Sequence, residues 1–155
     1  MGMTARDVMD HDFYTLLPQT TIAEALRIFK KACEEQNQIV FGMVVANESG
    51  QLLGMVSMYD IFLLLRPKYA HIWGEMKDLD LSGIIDEAFR RTKSMQVGDI
   101  MNAGVLTITP DTHLLMIIDV MIRQRIRHLP VVEQGEMVGM VYLHKVFRHL
   151  LDRLA

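Results

Sequence analysis

The chain repeats itself, and no other feature constrains its fold as much. Arg6-Asp7-Val8-Met9 returns as Gly98-Asp99-Ile100-Met101, an offset of 92 residues (Asp7 to Asp99). The same offset carries Thr15-Leu16-Leu17-Pro18-Gln19-Thr20 onto Thr107-Ile108-Thr109-Pro110-Asp111-Thr112. Further on, Leu53-Gly54-Met55-Val56 returns as Val138-Gly139-Met140-Val141, now at an offset of 85 (Gly54 to Gly139), so the first copy is longer inside by 7 residues. Loops and helix ends absorb a difference of that size. Three matches in one order mark a tandem duplication.

Each copy has the same order of elements. A short extended run (Tyr14 to Leu17; Leu106 to Thr109) ends in a Pro that stops the strand and a Thr suited to cap a helix. Ile22, Ala25, Leu26 and Phe29 then recur at helical spacing, as do Leu114, Ile117, Ile118, Met121 and Ile122. Two β-rich runs follow: Ile39 to Ala46 and Leu52 to Ser57 around Asn47-Glu48-Ser49-Gly50, then Leu129 to Glu133 and Met137 to Leu143 around Gln134-Gly135. Gly-containing connections between apolar runs predict hairpins. An apolar helix closes each copy, Ile61 to Leu65 and Val146 to Leu154.

One such unit of roughly 50–60 residues is too small to cover both faces of its sheet. Two units packed sheet against sheet are not. The expected fold is therefore α+β: two pseudo-symmetric β-α-β-β-α repeats joined through their sheets into one module. Residues 4–65 form the first repeat, 66–96 a connecting loop with an amphipathic helix, and 97–155 the second repeat. The connector contains Trp73, and Asp80-Leu81-Ser82-Gly83 reads as a helix start before Ile84, Ile85, Ala88 and Phe89. It either covers the module or meets a partner.

The chain's 16 Lys and Arg against 19 Asp and Glu give a net charge of -3, which argues against general affinity for nucleic acid. No apolar run approaches the ~20 residues of a membrane helix, and no leader pattern is visible, so the expected setting is soluble and cytoplasmic. Cys33 is the only cysteine, which leaves no intrachain disulfide and no cysteine zinc site. The 13 methionines are scattered through apolar runs, fitting core filling better than copper. His144 and His149 are not spaced to align on one helix face. The sequence holds no nucleophile motif, Walker-type loop or paired-histidine metal motif, so no enzyme is expected and no cofactor is required.

Copy two contains Val97-Gly98-Asp99-Ile100-Met101, Arg127-His128-Leu129-Pro130-Val131-Val132 and Val138-Gly139-Met140-Val141, and copy one contains Gly54-Met55-Val56-Ser57-Met58-Tyr59-Asp60. With these the repeats resemble the CBS domain, named for cystathionine β-synthase, and their pairing resembles a Bateman module. The last segment is similar to the family's Gly-h-h-Ser/Thr-x-x-Asp signature. The resemblance implies regulatory binding of AMP, ADP or ATP, with S-adenosylmethionine behind them, in two clefts related by a pseudo-twofold axis. It also implies a flat homodimer. No catalytic, channel or DNA-binding segment is read in these residues, so a separate effector protein is expected to receive the signal. A scaffold or dimerisation protein with degenerate clefts is the alternative.

Carried over by position, the better-equipped cleft uses Ser57 and Asp60, the latter on the ribose hydroxyls, with Met43, Met55 and Tyr59 as walls. Thr107 and Ile108 would meet adenine, and Arg127 and His128 would face phosphate. A carboxylate can accept from two vicinal hydroxyls, a helix N-terminus favours anions, and an Arg fork fits phosphate. In the second cleft, which Thr15 would join, Tyr142 and Lys145 replace Ser57 and Asp60. Lysine cannot accept a hydroxyl bond, so that cleft is expected to be empty or to take a phosphate-bearing group through Lys145. One nucleotide per chain follows. The plainer readings are a helix cap for Asp60, a solvated helix end for Arg127-His128 and a surface lysine for Lys145.

Overall fold

The computed structural model describes residues 3–37, 39–66 and 81–155. Copy one runs α1 (Ala5–Val8), β1 (Thr15–Leu16), α2 (Ile22–Gln36), β2 (Gly42–Ala46), β3 (Leu52–Ser57) and α3 (Met58–Leu65). After α4 (Leu81–Thr92), copy two runs α5 (Val97–Ile100), α6 (Leu114–Gln124), β4 (His128–Glu133), β5 (Glu136–Tyr142) and α7 (Leu143–Leu154). Trp73 and Asp80 lie outside the described residues.

Each repeat folds for local reasons that the sequence carries. Thr21 caps α2 by accepting from the Glu24 amide, and α2 ends at Asn37 in the left-handed region. Thr20 and Thr112, the expected caps, instead accept from the Leu17 and Thr109 amides and close the turns around Pro18 and Pro110. The cap falls one residue later in both copies, and in copy two it is His113, whose Nδ1 accepts from the Leu115 amide at 3.1 Å. Both hairpins form. The Asn47 carboxamide oxygen accepts from the Ser49 and Gln51 amides, and Gln134-Gly135 takes positive φ at both residues, as a two-residue hairpin turn requires.

In copy one β1 pairs parallel with β2, and β2 antiparallel with β3. In copy two β4 and β5 form the hairpin, and the expected extended run Leu106 to Thr109 shrinks to a single parallel bridge, Ile108 to Val131. Val44, Met55 and Met140 are buried between the two sheets with Phe13, Leu52, Val105, Met137 and Tyr142 around them. The α+β sheet-on-sheet pairing is thus the observed one.

The short helices α1 and α5 are exchanged. Ala5 and Val8 of copy one are buried in the core of copy two with Leu114, Ile117, Leu129 and Val146, while Val97 of copy two is buried in the core of copy one with Leu16, Ile22, Val45 and Ile61. The exchange is symmetric down to single hydrogen bonds. Ala5 and Arg6 donate to the Thr112 and Pro110 carbonyls; Val97 and Gly98 donate to those of Thr20 and Pro18. Beyond each helix the chain pairs with the far β-strand, Asp10 with Met140 and Asn102 with Met55. The crossing needs a bare backbone: a Cβ on Gly54 would lie 2.7 Å from the Asn102 carbonyl oxygen, and one on Gly139 would lie 2.8 Å from the Met9 sulfur and 3.1 Å from the Asp10 carbonyl oxygen. The described part of the connector, α4, packs on α3 with Ala88 buried.

Candidate functional site

Two hollows open where the repeats meet, one at the N-terminus of α3 and one at that of α7. The first, about 330 Å³, has Met55, Ser57 and Asp60 on one side and Asn102, Val105, Leu106, Gln124, Ile126, His128 and Pro130 on the other. β3 delivers Ser57 to the start of α3, where Ser57 Oγ accepts from the Asp60 amide and Asp60 Oδ2 accepts from the Ser57 amide at 2.8 Å and from Ser57 Oγ at 3.0 Å. This is a capping box: the cap is Ser57, α3 starts at Met58 rather than at Ile61, and Asp60 sits in the first turn as the reciprocal partner of the cap. Both accepted bonds fall on Oδ2; Oδ1 has no partner among the described residues and remains able to accept from a ligand.

The second hollow is larger, about 470 Å³, and is mostly apolar, with Phe13, Tyr14, Ile39, Phe41, Met43, Met140 and Phe147 on its walls beside Arg127, Tyr142 and Lys145. Tyr142 lines this space without filling it. Lys145 Nζ pairs with Asp10, part-buried, and lies 5.4 Å from the Tyr142 ring centroid. The α7 N-terminus has no side-chain cap bond and no acid in its first turn, the reverse of α3. Burial, the Asp10 carboxylate and Tyr14 push the Tyr142 phenol up, which keeps it a neutral hydrogen-bond donor. Burial and then the Lys145 ammonium hold the His144 imidazole below its ordinary value.

Of the residues expected in the Ser57 cleft, the structure brings Met55, Ser57, Asp60 and His128 together. Met43 and Arg127 line the other hollow. Tyr59 points outward, 71% exposed; Ile108 is buried in the copy-two core; Thr107 lies on a shallow depression with Leu52 and Val132. Thr15 is on β1, with its neighbour Tyr14 on the hollow instead. Resemblance alone puts Arg127 in the Ser57 cleft, and the strand registers show what it corresponds to: Gly42 pairs with Ser57 and His128 with Tyr142, so Arg127 matches Phe41 and His128 matches Gly42.

The corresponding residues meet each other across the pseudo-twofold axis. The Arg127 guanidinium lies 4.5 Å from the Phe41 ring centroid, and a Cβ on Gly42 would stand 3.0 Å from the His128 ring. His128 lines both hollows, and burial lowers its pKa. The residues missed by sequence reasoning, Tyr14 and Asp10 against Leu106 and Asn102, sit at the offset of 92 in the segments that follow the exchanged helices. Applying that offset to the segments between helix and strand would have found them.

The CBS domain family model matches the chain twice, at residues 5–66 and 97–152. The chain belongs to the CBS-domain family. Among curated relatives, it is 43% identical over 61 residues to the mitochondrial CBS domain-containing protein CBSX3 of Arabidopsis thaliana, covering 38% of this chain and 30% of the relative. It is 26% identical over 154 residues to the chloroplastic CBSX1 of the same plant, covering 91% of this chain and 60% of CBSX1. The match thus spans less than two thirds of either relative. The crystal structure of the CBS-pair protein CBSX2 from Arabidopsis thaliana superposes with a TM-score of 0.77 at 24% identity, each chain covered in full. CBSX2 in complex with AMP superposes with a TM-score of 0.72 at 24% identity over 99% of this chain and 100% of CBSX2. These structures share the CBS-pair fold. Among the described residues no helix is long and apolar enough to cross a membrane, and no group of three His, Cys, Asp or Glu side chains could hold a metal ion.

Proposed function

We propose that this CBS pair is a non-catalytic regulatory module that binds one adenine nucleotide in the Ser57/Asp60 hollow. The observation that carries the reading is the free Asp60 Oδ1, held beside Ser57 at the mouth of a space walled by both repeats. The CBSX2 complex with AMP supports adenine nucleotide as the ligand class. On this reading Asp60 accepts from the ribose hydroxyls, Met55, Val105 and Ile126 flank the base, and His128 faces the phosphate end. AMP, ADP and ATP are the candidates, with S-adenosylmethionine behind them.

A ligand shifts an equilibrium only by binding one arrangement better than another. A nucleotide touching both repeats meets that condition, and the signal passes to a separate effector protein in the cytoplasm. Tyr59, Phe62 and Leu63 on α3 and Phe147, Leu151 and Leu154 on α7 are exposed, an apolar surface that supports pairing with a second copy. Such a dimer should split on Phe62→Glu, as read by analytical ultracentrifugation.

A thermal-unfolding panel of AMP, ADP, ATP and S-adenosylmethionine tests the ligand reading. Nucleotide at about 100 times its dissociation constant adds roughly 2.7 kcal/mol, which for a chain of this size is a rise of about 5–10 °C. Asp60→Asn keeps a capping side chain and removes the charge, so it should abolish most of the rise. No rise with any of the four leaves the scaffold reading, in which the Ser57/Asp60 pair serves only to start α3.

A further inference from the structure

The larger hollow differs from its pseudo-symmetric mate in chemistry as well as size. Where α3 offers a carboxylate, α7 offers the Lys145 ammonium, which has no lone pair to accept a sugar hydroxyl. The acid nearest to it, Asp10, is already paired with Lys145, and Asp12 is exposed. Arg127 has no carboxylate partner among the described residues, and its guanidinium lies over the Phe41 ring, 4.5 Å from the centroid. The walls are aromatic rings and thioethers, surfaces that take flat apolar bodies. A volume of about 470 Å³ lies within the range of small-molecule sites, which pair an apolar lining with a few fixed polar groups.

We propose that the Tyr142/Lys145 hollow is a second binding site of different specificity, for a flat aromatic anion without a sugar: a ring system carrying one carboxylate or phosphate. The ring lies among Phe41, Met43, Met140 and Phe147, and the anionic head meets Arg127, the Tyr142 hydroxyl and the Lys145 ammonium. Nothing in this site depends on whether the Ser57/Asp60 hollow takes a nucleotide. The two repeats have diverged so that one chain reads two kinds of molecule.

Methionine methyl NMR on the full chain tests this and keeps the two sites apart, because Met43 and Met140 line the larger hollow and Met55 the smaller. The probes are 2-naphthoate, 1-naphthyl phosphate, neutral 2-naphthalenemethanol and AMP. At least one naphthyl anion should bind saturably at or below about 1 mM, moving the Met43 and Met140 methyls more than Met55, and the stronger of the two identifies the head group. The neutral analogue should bind at least about tenfold more weakly, the scale of a hydrogen bond to a charged group. Arg127→Gln should weaken the anion by a similar factor. Ile39→Trp, at an exposed lining position, should block it while leaving the thermal midpoint unchanged, which covers the case of an Arg127 variant that folds poorly. The proposal is overturned if neither anion saturates, if the neutral analogue binds as well, or if AMP moves the Met43 and Met140 methyls with equal or greater affinity. Loss of the AMP effect at Met55 would instead count against the nucleotide reading alone.

Discussion

At the start of α3, Ser57 and Asp60 close a capping box, and the residue three places into the helix is an acid that complements the helix dipole. At the start of α7 the same two places hold Tyr142 and Lys145; no side chain caps the helix, and the acid comes from the distant Asp10. One helix start carries its own side-chain cap; the other has none, and its lysine is paired with an acid on a segment that crosses from the far side of the molecule. Duplication therefore conserved the backbone of both clefts while leaving the polar groups at their mouths free to differ. The backbone is fixed by the core on either side, whereas the polar groups at each mouth are held by local contacts, a capping box in one copy and the Asp10–Lys145 pair in the other.

The crossing points give the largest expected difference between the halves. Gly54→Ala drives a Cβ to 2.7 Å from a backbone carbonyl that cannot move without unpairing Met55 and Asn102, whereas the nearest atom at Gly139 is the end of a flexible Met9 side chain. Urea unfolding should show a loss of about 3 kcal/mol for Gly54→Ala and about 1–2 kcal/mol for Gly139→Ala, both within the range of overpacking. Equal losses would mean that the two crossings are equally tight. Next in size is the cap: Asp60→Ala should cost about 1 kcal/mol, and Lys145→Ala about 0.5 kcal/mol, the scale of a part-exposed ion pair. A larger loss at Lys145 would show that the Asp10 pair, more than the uncapped amides, holds the start of α7.

The smallest effect is on pH dependence. Burial holds the His128 imidazole below the ordinary histidine value of 6.5, so the unfolded chain binds protons first as the pH falls. Stability from this group is intact above 6.5 and declines as the pH drops through the folded value. His144 shifts in the same direction, first through burial and then through Lys145. Thermal midpoints between pH 7.5 and 5 should therefore decline less in His128→Asn than in the natural chain; an unchanged slope would assign the decline to His144 or to carboxylates.

The duplication and both hairpins were legible because each is written in neighbouring residues, and so was a helix behind Ser57-Met58-Tyr59-Asp60, though it starts three residues before the expected Ile61. Thr20 and Thr112 were legible as hydroxyls that bond an amide near a turn, but not as to which amide, since the two choices differ by one residue. Arg127 is expected in the Ser57 cleft by resemblance alone, and the folded chain puts it on the larger hollow, because which hollow a residue beside β4 lines is set by strand pairing that no neighbouring residue spells out. The exchange of α1 and α5 was not legible at all. Asp7-Val8-Met9 and Asp99-Ile100-Met101 are visible as a repeat, but nothing local says that each docks on the opposite core.

That exchange has a mechanical consequence. Each half carries in its own heart a helix whose covalent root lies in the other, so prising one cleft apart must drag the opposite arm, and neither lobe can yield alone. A molecule wedged into either hollow is thereby felt by the pair as a whole, much as loosening one of two clasped hands loosens both.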